Sequence, residues 1–181
     1  GTDGLLRAVE QLSGVPLPAS ALETLVLPAR VRDYAPALLD EVLAAGEVLW
    51  CGHGSLAGDD GWVSLHLADS APLTLPLPAG GPPEDEVGSA LLAALEGGGG
   101  HFFRSLADRA ALTDDAAAVT ALWDLVWGGW ISGDTFAPVR ALLAGGRAAH
   151  RTTPRGPRTS RYAGRRGPLG GLGSRSARPV T

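Results

Sequence analysis

The side chains that could do chemistry in this chain are few and widely spaced. The four histidines show no metal-ligand spacing. They are His53, His66, His101 and His150. The single cysteine, Cys51, excludes an internal disulfide and a thiolate zinc site. Asp59 and Asp60 before Gly61 resemble the start of a calcium loop but lack its later ligands. We therefore predict no catalytic group and no metal site.

ATP hydrolysis is excluded by composition. Every basic residue in the chain is an arginine, and lysine is absent. The phosphate-binding loop Gly-x-x-x-x-Gly-Lys-Ser/Thr needs its lysine, so this chain cannot contain one. The glycine run 97–100 leads into His-Phe-Phe and is predicted to be a loop. The sequence thus predicts no enzyme and no bound cofactor in this chain.

Charge divides the chain into two unlike parts. Residues 147–181 hold nine arginines and no acidic residue, whereas residues 1–146 hold six arginines and 19 acidic residues. An acidic body argues against nucleic-acid binding over its whole surface, but the basic segment could supply such binding. The composition of this segment, rich in Arg, Gly, Pro, Ser and Thr, predicts a disordered tail. A solvated linker without a ligand is the open alternative to nucleic-acid binding by this tail.

Arginine side chains are the candidates for contacts with a nucleic-acid backbone. Those predicted to bind DNA are Arg30, Arg32, Arg104, Arg109, Arg140, Arg155, Arg158, Arg161, Arg165 and Arg166. The tail arginines, with Tyr162 available for stacking, suit loose binding of single strands. Pairing with Asp33 or Glu23 is the alternative for Arg30 and Arg32.

Hydrophobic periodicity predicts a winged-helix module over residues 1–72. Its three predicted helices are Asp3–Gln11, Ala21–Leu27 and Tyr34–Ala45, and its two strands are Glu47–Cys51 and Trp62–Leu67. Ser20 followed by Glu23 is the pattern of a capping box. The glycine-rich residues 52–61 between the strands are predicted to be the loop at the tip of the wing. A proline-rich connector, residues 73–83, follows.

The same plan is predicted a second time over residues 84–146. Helices are expected from Glu84, over His101–Arg109, from Thr113 to Gly128 and over Ala137–Leu143. Thr113 is predicted to cap the third of these, and Trp130–Ile131 to form a very short strand. The predicted fold is mainly α with small β-hairpins, as two tandem winged-helix-like modules and a disordered C-terminal tail over residues 147–181.

The tryptophans and the third helix of each module favour packing over base reading. A winged helix usually reads DNA with its third helix, but these helices carry acidic residues and no basic ones. The acidic residues are Asp40, Glu41, Asp114, Asp115 and Asp124. Core or interface positions are predicted for Trp50, Trp62, Trp123, Trp127 and Trp130. The modules are therefore expected to act mainly as packing and spacing units.

Two motif runs carry a family resemblance. The first is LWDLVWGG over residues 122–129, followed by GDTFAPVRAL over 133–142. The second is LPARVRDY over 27–34, followed by GEVLW over 46–50 and DGWVSL over 60–65. These runs resemble the Lhr family, the large helicase-related DNA repair ATPases of bacteria, and the match covers most of residues 4–143 in the order of the family. The resemblance implies a fragment from the region after the helicase motor.

The resemblance also implies a function for the parent protein. Such a parent unwinds DNA with ATP and Mg²⁺, and the expected partners here are DNA, most simply single-stranded, neighbouring domains and a possible second copy. Cys51 as the lone cysteine, a start without a signal peptide and the lack of an apolar run of about 20 residues predict a cytoplasmic protein without a membrane segment.

Three candidate functions follow from the sequence and from the resemblance. The first is a non-catalytic winged-helix scaffold that contacts DNA or other subunits. The second is a protein-interaction module with no nucleic-acid role. The third is a subdomain like the AlkZ-type DNA glycosylases, which the C-terminal region of the family resembles. Their catalytic motif pairs a glutamine with Asp or Gln two residues later. Gln11, the single glutamine here, is followed by Leu12 and Ser13, so the third function is disfavoured.

Overall fold

The computed structural model describes residues 1–78 and 80–145. The described part is mostly helical, with one small antiparallel sheet, as the sequence predicts. The predicted disordered segment lies outside the described residues, together with Arg155, Arg158, Arg161, Arg165 and Arg166. None of the described helices is long and apolar enough to cross a bilayer.

The first three helices form one side of the N-terminal core. Helix α1 spans Thr2–Leu12, α2 spans Ala19–Ala21 and continues as a π-helical turn over Leu22–Val26, and α3 spans Pro36–Ala44. Apolar residues recur every three or four positions in α1, which buries one face of the helix. The expected capping box is wrong, because α2 begins at Ala19 and Ser20 bonds to Asp60.

A three-stranded antiparallel sheet closes this core. Strands β1 (Leu17–Pro18), β2 (Val48–Leu56) and β3 (Asp60–Leu67) lie in the order β1-β3-β2. The prediction of a loop over residues 52–61 is wrong, because both strands continue into it and only residues 57–59 make the turn. Gly52 and Gly61 allow close packing against another helix, whereas Gly58, with a φ of +78°, lies in the turn.

Five further helices follow. They are α4 (Ala71–Thr74), α5 (Glu86–Leu95), α6 (Phe103–Arg109), α7 (Asp115–Trp127) and α8 (Ala137–Leu143). Helix α7 is capped by the carboxylate of Asp114, which accepts from the backbone N–H groups of Ala116 and Ala117. The cap expected at Thr113 is therefore one residue too early.

The predicted strand Trp130–Ile131 is wrong for the described structure. Gly129 has a φ of +76°, and the N–H of Trp130 donates to the carbonyl of Leu125 at the end of α7. This is the geometry in which glycine ends a helix, so the backbone of Trp130 is used to close α7. Within residues 1–78 and 80–145, strands therefore occur in the first predicted module alone.

Helix α7 belongs to two hydrophobic cores. Leu125 packs with Leu91 and Leu106 of α5 and α6 in a small second core. Val126 and Trp127, the next two residues, pack into the N-terminal core. Phe136 and Val139 from the α8 region join that same N-terminal core. The division of the chain at residues 73–83 stays a prediction. The two predicted modules are joined by the packing of α7 and the α8 region on the N-terminal core.

Candidate functional site

The contact between the hairpin and the end of α7 depends on two glycines, Gly52 of β2 and Gly61 of β3. We call this pair the glycine seat. A Cβ atom on Gly52 would overlap the backbone carbonyl of Val126, and one on Gly61 would overlap the indole ring of Trp127. Gly129, in turn, lies close to the carbonyl oxygen of Gly52. The two glycines therefore allow the end of α7 to pack directly on the backbone of the hairpin.

Trp50 extends the contact beyond the glycine seat. Its indole Nε1–H donates to the carbonyl of Gly133 at 2.9 Å, and its own carbonyl accepts from Ser132 Oγ at 2.6 Å. Its ring meets Phe136 edge to face, with centroids 5.5 Å apart and an interplanar angle of 82°. The loop between α7 and α8 is thus fixed to strand β2 by both polar and apolar contacts.

Helix α8 is held by a charged cluster, the Arg140 clamp, formed by Arg140, Glu23 and Asp40. Arg140 Nε lies 2.6 Å from Glu23 Oε2, and Nη2 lies 2.7 Å from Asp40 Oδ1. Asp40 also accepts from the N–H of Phe136 at 2.8 Å, and Glu23 accepts from Tyr34 Oη at 2.6 Å. Arg140, predicted to contact DNA, is thus placed between two carboxylates of its own chain.

The protonation states of the Arg140 clamp follow from its geometry. Burial alone would lower the pKa of Arg140, but the hydrogen bonds to Asp40 and Glu23 raise it overall. Burial, followed by the hydrogen bond to Glu23, raises the pKa of the Tyr34 phenol. The guanidinium stays charged and the phenol stays protonated near neutral pH, so the clamp keeps all of its donors.

The other described arginines that were predicted to bind DNA have different partners. Arg104 pairs with Asp115 at 2.9 Å on the surface of the α6–α7 region. The guanidinium of Arg109 donates twice to the carbonyl of Ala94, at 3.3 and 3.2 Å. Arg30 donates to the carbonyl of Val26 at 3.3 Å, and Arg32 has no hydrogen bond or ion pair to any described residue. Arg30 and Arg32 thus flank the buried Val31 in the turn before α3, whereas Arg104 and Arg109 lie on α6.

The five tryptophans occupy different environments. Trp50 and Trp127 are buried in the N-terminal core. Trp123 stacks on Trp127, with centroids 5.5 Å apart, and Trp130 packs against the second core. Trp62 retains 37% of its exposed area. Trp62 is thus the tryptophan with most surface available for a contact outside the described chain.

A polar chain that the sequence did not reveal crosses one face of the sheet. Ser64 Oγ lies 2.5 Å from His53 Nε2 and 2.6 Å from His66 Nε2. His66 Nδ1 lies 2.9 Å from Thr74 Oγ1, which donates to the carbonyl of Ser70. Because Thr74 uses its proton on Ser70, His66 Nδ1–H donates to Thr74, Ser64 donates to His66 Nε2, and His53 Nε2–H donates to Ser64.

This chain of hydrogen bonds has a structural role. Ser64 and His66 are 1% and 0% exposed, so the Ser64 hydroxyl cannot reach a substrate. Burial lowers the pKa of His53, and burial followed by the charge of His53 lowers the pKa of His66. Both imidazoles are therefore neutral near neutral pH. Ser64 and His66 are two residues apart on β3, so the sequence does predict that their side chains share one face of the strand. Nothing in the sequence indicates that Thr74 is the next hydrogen-bond partner.

The comparisons with known proteins agree on one family. Residues 1–68 match the family described as "Large helicase-related protein, winged-helix domain". The chain is 53% identical over 169 residues to the "Lhr helicase/ probable uracil glycosylase" of Mycolicibacterium smegmatis (strain ATCC 700084 / mc(2)155), which covers 90% of this chain. It is 42% identical over 167 residues to the "Lhr helicase/uracil glycosylase" of Escherichia coli (strain K12), which covers 89% of it. The chain spans 11% of the length of each relative.

Proposed function

The chain belongs to the Lhr family, and on that premise we propose that it acts as a non-catalytic winged-helix scaffold within a cytoplasmic, ATP-dependent DNA repair helicase. One observation carries this proposal. The two elements with which a winged helix usually contacts DNA, its third helix and its hairpin, are both engaged by the α7–α8 segment of the same chain. A module used in this way is suited to holding neighbouring parts of a large protein at fixed positions.

The third helix supports the proposal through its charges and its contacts. Helix α3 carries Asp40 and Glu41 and no basic residue. A base-reading helix needs donors such as Arg, Lys, Asn or Gln at the groove. Asp40 instead binds the N–H of Phe136 and the guanidinium of Arg140. The helix is therefore directed at α8, and its remaining carboxylate would repel a phosphate backbone.

The hairpin supports the proposal in the same way. The glycine seat receives the end of α7, and so occupies part of the wing that would otherwise be free. At the tip, the carboxylate of Asp60 accepts from the backbone N–H and the hydroxyl of Ser20 at 3.1 and 2.6 Å. The hairpin is thus held at two points along its length. We infer that the hairpin serves as a structural element that fixes the position of α7 against the sheet.

The proposal assigns no catalytic step, nucleotide or metal to this chain. The names of both relatives include a uracil glycosylase activity. Gln11 lies exposed on α1 without the Asp or Gln that the glycosylase motif needs two residues later. Ser64, which lies between two histidines in the described part of the chain, is buried. Uracil excision is therefore not part of the function proposed here.

Exposed apolar side chains supply the surfaces that a scaffold needs. Leu73 in α4 and Leu77 after it are 90% and 91% exposed, and Phe102, the residue before α6, is 90% exposed. Large apolar side chains with this much exposure commonly mark contacts with other protein surfaces. They also keep open the second candidate, an interaction module with no nucleic-acid role.

A pair of spin labels tests whether the chain is a rigid spacer. Labels on E10C in α1 and A141C in α8, both exposed positions, report the distance between the first and last described helices. The buried Cys51 should remain unlabelled, and the protein without added cysteines is the control for this. We expect one narrow distance distribution by double electron–electron resonance. A broad or bimodal distribution would contradict the proposal.

A further inference from the structure

Four of the six described arginines form no ion pair within residues 1–78 and 80–145, although the same part of the chain is rich in acidic residues. Arg104 and Arg140 form ion pairs, and Arg109 is held by the carbonyl of Ala94. Within residues 1–78 and 80–145, the remaining three arginines form no ion pair. They are Arg7, Arg30 and Arg32, and all three are exposed.

These three arginines border one contact between α1 and the turn that precedes α3. A Cβ atom on Gly4 of α1 would lie 3.9 Å from Val31, so the helix and the turn touch at this point. Val31 is 2% exposed, which turns its neighbours Arg30 and Arg32 outward. Arg7 lies one helical turn beyond Gly4 on α1 and is also exposed. We call these three arginines the basic face.

We propose that the basic face binds the phosphodiester backbone of a single-stranded nucleic acid, in place of the third helix that winged helices commonly use. The inference rests on the proposed function, because the helicase family supplies the nucleic acid. Guanidinium groups bind phosphate oxygens through charge-assisted hydrogen bonds. Within residues 1–78 and 80–145, Arg7 and Arg32 donate no hydrogen bond, and Arg30 donates one to the carbonyl of Val26.

The neighbouring charges define what the basic face can recognise. Asp3 lies four residues before Arg7, and Asp33 follows Arg32, so acidic groups flank the face. These acidic groups limit phosphate binding to the narrow strip formed by the three arginines. They also disfavour non-specific binding of polyanions elsewhere on this acidic surface. The face contains arginines but no exposed aromatic ring of its own. It therefore recognises the backbone without reading bases.

Salt dependence gives the expected size of the effect. Each phosphate neutralised on a single strand contributes roughly −0.7 to the slope of log K against log salt concentration. Removing three such contacts should lower the magnitude of the slope by about 2 and weaken binding about ten-fold or more at moderate salt. The nine arginines of residues 147–181 stay unchanged in every variant, so their contribution is the same throughout.

The test uses fluorescence anisotropy on the full chain, with a labelled 20-nucleotide single-stranded DNA and an RNA of the same sequence. The triple variant R7Q/R30Q/R32Q should bind both strands about ten-fold more weakly, with the shallower salt slope. Arg32→Gln should weaken binding clearly, whereas Arg104→Gln, which also removes one exposed charge, should stay within about two-fold. All four positions are exposed, so the urea midpoint should not move.

Three results would overturn the inference. They are unchanged binding by the triple variant, an equal loss for Arg32→Gln and Arg104→Gln, and a loss confined to DNA or to RNA. The equal loss would mean that net charge alone governs binding, and the confined loss would mean that the backbone is not what is recognised. Any of them leaves the spin-label result standing, so failure of this inference is separable from failure of the scaffold proposal.

Discussion

Replacing Gly52 with alanine should destabilise the protein by about 3 kcal/mol or more, because overpacking in a tightly packed contact forces backbone to move. The added Cβ meets the carbonyl oxygen, carbonyl carbon and Cα of residues at the end of α7, and none of these is a flexible side chain. The helix must lift from the sheet, which also strains the bonds of Trp50 to the following loop. A chain of this size should lose about 6–12 °C in Tm.

Gly97→Ala is the matched control, since a Cβ at that position meets nothing within 4 Å and its φ is not positive. It should change the free energy of unfolding by less than about 0.5 kcal/mol. Urea unfolding followed by tryptophan fluorescence measures both variants. If Gly52→Ala unfolds at the same urea concentration as the control, the glycine seat is not a tight contact and the account of the hairpin is wrong.

Replacing Arg140 with methionine should cost about 2–4 kcal/mol, because it leaves two carboxylates without their cation. The side chain of Glu23 is 9% exposed and that of Asp40 is 28% exposed, so water cannot fully replace the guanidinium. The aliphatic part of arginine is kept in methionine, so the loss reports mainly on charge. Urea unfolding near neutral pH measures the effect.

Two further variants separate the ion pair from a general effect of the substitution. Adding Glu23→Gln to Arg140→Met should recover part of the stability, since it removes the most buried unpaired charge. Arg104→Met, in an ion pair whose side chains are 73% and 49% exposed, should cost less than about 1 kcal/mol. If Arg104→Met and Arg140→Met have equal effects, the clamp does not hold α8.

The elements that were predicted well from the sequence are those whose signals are local. The stripe of Leu5, Val9 and Leu12 predicts α1 because every third or fourth residue must face the same core. In β2 and β3 the alternation of buried and exposed residues is confined to residues 48–50 and 61–63, and buried residues follow directly in each strand. Such patterns depend on neighbours within a turn or two, so the sequence contains them in full.

The errors arise where one residue type serves two physical purposes. The glycine content of residues 52–61 predicts a loop at the tip of the wing, but the role of Gly52 and Gly61 is to leave room for Val126 and Trp127. Trp130–Ile131 is predicted to be a very short strand, but the N–H of Trp130 is used to end α7. In each case the structure depends on a residue distant in sequence or on a backbone angle. Neither of these can be deduced from composition.

The contacts of the candidate site depend on long-range pairing. Arg140 meets Glu23 across 117 positions and Asp40 across 100. Nothing in the local pattern distinguishes Arg140, which is paired, from Arg30, which has no carboxylate partner among the described residues. Predicting a DNA contact from an arginine therefore requires knowing which carboxylates the fold brings near it.

Native-state hydrogen exchange reports which parts of the chain open together, and so shows whether α7, the α8 region and the sheet unfold as one unit. We expect the amides of Val126 in α7 and Phe136 before α8 to have the same free energy of opening as the most protected amides of β3. We also expect Gly52→Ala to lower all of these free energies by the same amount. Amides of α7 and Phe136 that exchange at a much lower free energy, while β3 stays protected, would show that the segment opens independently and would contradict the scaffold.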